Sequence, residues 1–344
     1  ANWGKIFYME KESVIGTDNL VFHESIFSPY DLPGKVPIRD KNGLTIDDIK
    51  RESAIESAMQ DMDSHADMVD GMGRNLLEVL GVSTIPEAMA EIRRRCNNNG
   101  EIDNTGIPDF KGIRIGDYID GLDLSSIGAV PGGTAPQIWD DTYKNNRIEI
   151  SGFNIYKGGG DTENTKNHIL FTFRNVVCTG PMNATNTNIG GYIATAMRTW
   201  LEGANGDGSG SFAAGLKAAL GGEYLYTIRK YHAAKTDATA STSAWNSYTV
   251  WLPSEIEVFG YQARGDEIAS ADGSRAVFGV QFPIYQRSMV HRIKRRNGSR
   301  AWWWEMTGSA SNTLNFCGAN NNGYANYHIA SSTDGGVAPA FCVA

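Results

Sequence analysis

The chain has 344 residues, 41% hydrophobic and 20% charged, which suits one large or two modest folded domains and excludes wholesale disorder. No apolar run approaches the ~18 residues that span a membrane, and four cysteines without a CxxC pair exclude a disulfide mini-scaffold and a zinc finger of the CxxC type. The net charge of −8 is uneven: residues 1–110 hold 11 Lys/Arg against 20 Asp/Glu, and residues 111–344 hold 20 against 19, so no broad basic face is offered to nucleic acid.

Residues 1–44 mix short apolar stretches with turn formers at Pro29, Pro33-Gly34 and Asn42-Gly43, a pattern of short strands and loops. Ala1-Asn2-Trp3-Gly4 lacks a basic region followed by an apolar run, so no export signal is expected, although a removed peptide would leave the same start. Thr45, with Asp47 and Asp48 behind it, opens a helix reaching to about Met72. Its Ile55, Met59, Met62, Ala66 and Val69 form one apolar stripe, read as a helix packed on its own domain or, alternatively, an oligomer seam. Thr84-Ile85-Pro86-Glu87 is a capping box with Pro in the first turn, and predicts a second helix to about Cys96. Arg93-Arg94-Arg95 falls in its last turn, where cations complement the helix dipole. Asn97-Asn98-Asn99-Gly100 ends it, and a domain boundary is expected between about 100 and 112.

Beyond that point strands are expected at Arg147-Ile148-Glu149-Ile150 and at Ile169-Leu170-Phe171-Thr172-Phe173, with helices from Tyr192 to Leu201 and from Phe212 to Leu220. A flexible loop at 203–210 joins the helices, and from Tyr248 onward short strands and long loops are expected. The chain as a whole reads as α+β with much irregular structure.

Catalytic patterns are sparse. Gly158-Gly159-Gly160 and the 203–210 loop contain neither GxxxxGK[ST] nor GxGxxG, and the latter loop places Leu216 where a calcium-binding EF-hand needs Glu. HExxH and GxSxG are absent, and the six histidines (His23, His65, His168, His232, His291, His328) are scattered too widely to argue a metal cluster. Cys317 and Cys342 stand near the C-terminus and could pair, provide a reactive thiol, or be buried free cysteines.

Residues 307–334 read TGSASNTLNFCGANNNGYANYHIASSTD, with six Asn and no Lys, Glu, Gln, Met or Trp. Those five types fill 53 of the 344 positions, so independent draws would leave them out of such a stretch about one time in a hundred. Small hydrogen-bonding residues with Tyr make an adaptable binding surface, because Tyr supplies contact area at low entropy cost. The plainer reading is an Asn/Gly-rich surface loop. Trp302-Trp303-Trp304 and Phe341 flank the segment and read as core anchors.

The stretch from about Gly112 to Ala344 resembles a domain of gut bacteria and their phages, related to the C-type lectin fold of the formylglycine-generating-enzyme type. The residues that carry the resemblance are Ile148-Glu149-Ile150-Ser151-Gly152-Phe153-Asn154, Gly190-Gly191-Tyr192-Ile193-Ala194-Thr195-Ala196-Met197-Arg198 and Leu252-Pro253-Ser254-Glu255-Ile256-Glu257-Val258-Phe259-Gly260. Arg300-Ala301-Trp302-Trp303-Trp304 and Gly336-Val337-Ala338-Pro339-Ala340-Phe341 complete the set, and the first 110 residues lie outside it. Such domains often serve as variable proteins of diversity-generating retroelements, in which an error-prone reverse transcriptase randomises adenines of AAC or AAT codons near the 3′ end of the gene. Changes at two adenines of such a codon reach Asn, Ser, Thr, Tyr, His, Asp, Ala and Gly among others, and never Lys, Glu, Gln, Met or Trp, the exclusion found in 307–334.

The resemblance implies a non-enzymatic ligand-binding protein. Its C-type lectin-like domain over 111–344 displays a hypervariable face, and a smaller, largely helical domain over 1–110 docks or oligomerises it. The contact residues implied are Ser309, Ser311, Asn312, Asn315, Asn320, Asn321, Asn322, Tyr324, Asn326, Tyr327, His328, Ser331 and Ser332. Expected partners are a host cell-surface protein or glycan, other virion proteins through the N-terminal domain, and further copies of the chain, a trimer being favoured. The expected location is a virion tail tip or fibre, or otherwise the bacterial cell surface. No cofactor, nucleic acid or membrane insertion is expected, and a metal is left open. The sequence departs from enzymes of the fold because no paired-cysteine copper site matches by motif. The alternatives are an enzyme of the same fold using Cys317 or Cys342 as a thiolate, and a structural virion component without a ligand. Arg292, Lys294, Arg295 and Arg296 read as a solvated face, with contact to an acidic glycan as the alternative.

Overall fold

The computed structural model describes residues 73–98, 110–158, 164–235, 240–265 and 280–344. The short strands expected in 1–44 and the helix expected over 45–72 lie outside the described residues. The chain divides into two compact units, Ala1–Ser64 and His65–Ala344, and every element below belongs to the second.

That unit is α+β. Its α-helices are α1 (Leu76–Leu80), α2 (Ile85–Asn97), α3 (Ala196–Glu202), α4 (Ser211–Leu220), α5 (Glu255–Phe259) and α6 (Pro283–Arg287). Its strands are β1 (Tyr118–Ile119), β2 (Ile148–Phe153), β3 (Ile169–Phe173), β4 (Cys178–Thr179), β5 (Leu225–Tyr226), β6 (Ile228–Lys235), β7 (Ala240–Tyr248) and β8 (Val250–Trp251). They continue with β9 (Lys294–Arg296), β10 (Ser299–Ala301), β11 (Trp303–Gly308), β12 (Asn315–Ala319), β13 (Ala325–Ile329), β14 (Gly336–Val337) and β15 (Ala340–Val343).

Two sheets organise the unit. The first runs β1-β2-β3-β15-β5, with β8 also pairing β15, so the C-terminal strand sits inside it. Phe171 stacks on Phe341 across the β3–β15 pair with ring centroids 5.6 Å apart, and every residue of β3 and β15 is buried. Continuous burial explains why these strands read as unbroken apolar runs rather than alternating ones. The second sheet runs β13-β12-β11-β14-β4, antiparallel except at β11–β14. Hairpins β6–β7 and β9–β10 complete the pairing.

Helix α2 forms as its capping box dictates: Thr84 Oγ1 accepts from Glu87 N at 3.4 Å and Glu87 Oε2 accepts from Thr84 N at 3.0 Å. Its Ala88, Met89, Ile92 and Cys96 are buried in the same core as β2, β3 and β15. Arg93 Nε donates to the carbonyl of Ala344 at 3.2 Å, and Asn167 Nδ2 donates to that of Cys96 at 3.3 Å. The expected boundary between 100 and 112 is therefore corrected. An amphipathic helix needs a partner for its apolar stripe, and α2 takes it from the C-terminal unit, which begins at His65. The arginine run is absorbed locally: Arg94 and Arg95 pair with Glu91 at 2.7 and 2.8 Å, and Arg93 lies over the Tyr224 ring.

Two further expectations change. The helix expected from Tyr192 to Leu201 is a 3-10 turn over Tyr192–Ala194 followed by α3, because Thr195 leaves helical geometry and its Oγ1 caps Arg198 N at 3.1 Å. The loop at 203–210 is pinned rather than free: Gly208 N donates to Glu202 O at 2.8 Å, Arg198 Nη1 to Ala204 O at 3.0 Å, and Thr249 Oγ1 to Gly206 O at 2.7 Å. Past Tyr248 the chain also forms α5 and α6. The first carries a capping box between Ser254 and Glu257, a signal present in the sequence. Beneath it Glu257 accepts from Tyr156 Oη and pairs with Lys230 Nζ, both at 2.6 Å, a buried ion pair whose lone pairs are satisfied.

Candidate ligand-binding face

The segment 307–334 follows β11 into the second sheet and forms β12, a turn, β13 and the return to β14. The tryptophans set it in place. Trp303 and Trp304 are fully buried, with Trp303 Nε1 donating to Arg292 O and Trp304 Nε1 to Gly180 O, both at 2.8 Å. Trp302 is half-buried: its indole stacks on His328 with centroids 3.7 Å apart, and Nε1 donates to Asp334 Oδ2 at 3.3 Å. Burial holds the His328 imidazole below its ordinary range, so the ring is neutral against the indoles at neutral pH.

Turn chemistry shapes the two connections. In 309–314, Asn312 Oδ1 accepts from Leu314 N at 2.8 Å and Asn315 N at 3.0 Å. In the β12–β13 turn, Asn320 Oδ1 accepts from Asn322 N at 2.9 Å and Tyr324 N at 3.0 Å. Gly323 takes φ 76° there, a conformation that L side chains resist. Gly318 answers a different need: a Cβ would stand 2.5 Å from the carbonyl oxygen of Trp303, so only glycine lets β11 and β12 approach.

Two loops outside the segment hold it. Residues 183–189 read Asn183-Ala184-Thr185-Asn186-Thr187-Asn188-Ile189. Asn188 Nδ2 donates to Asn315 O at 2.7 Å and Asn312 O at 3.0 Å, while Asn188 N donates to Thr313 O at 2.8 Å. Asn186 Oδ1 accepts from Ser331 N at 3.2 Å and from its hydroxyl, and Asn183 N donates to Ala330 O at 3.1 Å. On the other side, the buried Glu255 carboxylate accepts from the backbone N–H groups of Ala263, Arg264 and Gly265 at 2.8–2.9 Å. Gly265 bridges to Ser309, and the Arg264 guanidinium lies 5.9 Å from the Tyr327 ring centre.

The thirteen expected contact residues divide accordingly. Ser311, Asn321, Tyr324 and Tyr327 are exposed, and Asn312, Asn320, Asn322, Asn326, His328, Ser331 and Ser332 are partly so. Ser309 and Asn315 are buried and are corrected: they form the closing pair of the β11–β12 connection, Ser309 N donating to Asn315 O at 3.0 Å. Asn312 and Asn320 have their carbonyl oxygens committed to turns, Asn326 Oδ1 accepts from Tyr327 N at 2.9 Å, and Asn322 Oδ1 accepts from Arg300 Nη1 at 3.1 Å. Sequence reasoning missed Leu314 and Ile329, 47% and 45% exposed, and the flanking Ile189 and Tyr261, 40% and 61% exposed. A signal was present for the 183–189 loop, whose Asn/Thr-rich run shares the composition of the segment it holds.

The cysteines are buried thiols: Cys317 lies in β12 and Cys342 in β15, so they occupy different sheets and form no disulfide with each other. Burial, with Glu257 beside it, pushes the Cys342 thiol well above its ordinary range, the opposite of an activated thiolate. Among the described residues no group of three or more His, Cys, Asp or Glu is placed to hold a metal ion. Lys294 is buried, its Nζ donating to Phe173 O at 2.6 Å, so the basic run 292–296 is not wholly the solvated face expected.

No curated protein and no solved structure matches the chain. Residues 166–344, just over half of the chain and the part that contains both the face and the loop 183–189, match the family described as domain of unknown function (DUF6273), and the chain belongs to that family.

Proposed function

We propose that residues 307–332, framed by the loops 183–189 and 261–265, are a ligand-recognition surface, and that the protein binds rather than transforms its ligand. The observation that carries the reading is the placement of exposed apolar side chains. Of the ten large hydrophobics that stand exposed among the described residues, Leu314, Tyr324, Tyr327 and Ile329 come from this one segment. They ride on strands and turns anchored to the body of the unit through β12 and the loop 183–189. Solvent-facing tyrosines and aliphatics on a rigid frame, set among Asn and Ser, suit recognition at low ordering cost.

The resemblance supplies the finer reading. The unit is a C-type lectin-like scaffold, the segment is the diversified region of a retroelement variable protein, and the ligand is a host cell-surface protein or glycan met by a phage tail. The N-terminal residues attach several copies, a trimer, to the virion, and avidity offsets weak single-site binding. The test is sequencing of the 3′ end of the gene and its neighbourhood. A near-copy of the 307–334 coding region, differing where the copy has adenine and accompanied by a reverse-transcriptase gene, is the expected result. The differing codons should fall on Ser311, Asn321, Tyr324 and Tyr327 and spare the buried Gly318. The absence of both copy and reverse transcriptase would overturn the diversification reading.

A further inference from the structure

We propose that the outer edge of β13 accepts an extended, uncharged stretch of the ligand polypeptide as an added antiparallel or parallel strand. This rests on the binding-face reading and names the partner's chemistry.

β13 is the terminal strand of its sheet and pairs with β12 alone among the described residues. The bonds Ala330 N to Leu314 O at 2.9 Å and Asn320 N to Tyr324 O at 2.8 Å set the phase of that ladder. With the register Phe316↔His328 and Gly318↔Asn326, the even-numbered residues of β13 turn their amides toward β12. Ala325, Tyr327 and Ile329 therefore turn theirs outward. Asn326 Oδ1 holds the Tyr327 N–H at 2.9 Å and Ser332 N occupies the Ile329 carbonyl at 3.0 Å. The N–H groups of Ala325 and Ile329 and the carbonyls of Ala325 and Tyr327 have no partner among the described residues. Groups of alternating kind on every second residue recur about every 6.8 Å, the repeat of an extended chain.

Edges of this kind invite pairing, and proteins normally blunt them with Lys, Pro, a bulge or a covering segment. The far edge of the same sheet and one edge of the first sheet are blunted here. β4 is covered by Thr134 N donating to Thr179 O at 2.7 Å and Gln137 N to Val177 O at 2.8 Å, and β1 is bridged by Asn75. β13 has no Lys, Arg or Pro, and its register with β12 is unbroken. Among the described residues, the Asn326 side chain is what an incoming carbonyl at Tyr327 would displace. Tyr327 and Ile329 lie on one face of the strand, exposed, and would pack on alternate side chains of the added strand. No charged side chain occurs from Thr307 to Thr333, and the Arg264 guanidinium beside the face is engaged with the Tyr327 ring, so the strand itself offers a charged segment no partner.

The test pans a displayed library of random peptides, about twelve residues long, against the whole chain and resynthesises the best binder with a single N-methyl group at each position in turn. Strand addition predicts a loss of about tenfold at alternate positions and little change between them, the scale of one lost backbone hydrogen bond. Ala325→Pro removes one outward N–H at the first residue of an edge strand, where proline is tolerated. It should weaken the same peptide about tenfold with an unchanged melting temperature. A peptide indifferent to the methylation pattern, yet lost in Tyr324→Ala or Tyr327→Ala, overturns strand addition and leaves the binding face standing. Recovery of no binder overturns strand addition as well, while the codon comparison decides the face by itself.

Discussion

Asn188 offers a direct test of how the face is held, because it lies outside the segment 307–334 and touches it with both backbone and side chain. Its Nδ2 donates to the carbonyls of Asn315 at 2.7 Å and Asn312 at 3.0 Å. Asn188→Ala removes two hydrogen bonds of about 1 kcal/mol each and leaves the buried Asn315 acceptor less satisfied, which together amount to about 2–4 kcal/mol. For a unit of this size that is a fall in melting temperature of roughly 4–12 °C. Asn188→Asp should be worse at neutral pH, since a carboxylate oxygen would face two carbonyl oxygens. Its folded pKa would be raised above the unfolded value, so the variant should recover stability as pH falls toward about 4, where a protonated carboxyl can donate. Urea unfolding of the whole chain at pH 7.5 and 4.5 measures both effects. Amide exchange should show 309–315 opening faster in the Ala variant while β3 and β15 keep their protection. A cost below about 0.5 kcal/mol for Asn188→Ala, or unchanged exchange in 309–315, would refute the claim that this side chain anchors the connection.

Other expectations follow from the same reasoning. His168 is fully buried, its Nδ1 against the carbonyl of Lys166 at 3.0 Å and its Nε2 accepting from Tyr156 N at 3.2 Å, and burial lowers its pKa to about 4. The neutral ring is required, so stability should be full above about pH 6.5 and fall by about 3 kcal/mol as pH drops from there to 4. His168→Gln should flatten that slope in urea titrations, and parallel slopes would remove the residue from the account. Burial pushes the thiols of Cys96 and Cys178 up to about 12, so Ellman's reagent at pH 8 should find almost no thiol in the native chain and all four after denaturation. Rapid stoichiometric labelling of Cys317 or Cys342 would instead revive the thiolate-enzyme alternative. Gly318→Ala should lower stability by about 2 kcal/mol or more, because its methyl would meet the Trp303 carbonyl at 2.5 Å. An unchanged melting temperature would show that β11 and β12 have slack.

Local signals carried far in this chain. The capping box at Thr84 and Glu87 specified where α2 begins, and the apolar runs at 148–150 and 169–173 specified two central strands, since in each case the information lies within a few residues. The composition of 307–334 and its flanking tryptophans marked the segment that now forms an outer pair of strands and their turns. The break at Thr195 turned on which of two local hydrogen bonds wins, a choice that propensity leaves open.

What the tertiary structure alone decided was which side of each residue faces water. Ser309 and Asn315 have the same chemistry as the exposed Ser311 and Asn321, and they are buried because the β11–β12 connection closes on them and Asn188 reaches in from 121 to 127 positions away. Leu314 and Ile329, which by type belong in a core, stand in solvent because Leu314 closes the connection before β12 and Ile329 ends the outermost strand, β13. Helix α2 joined the C-terminal unit for the same kind of reason: its stripe was written in the sequence, but its partner strands lie more than fifty residues further along the chain. Periodicity fixes which residues share a face, and only the packing of distant elements determines what that face meets.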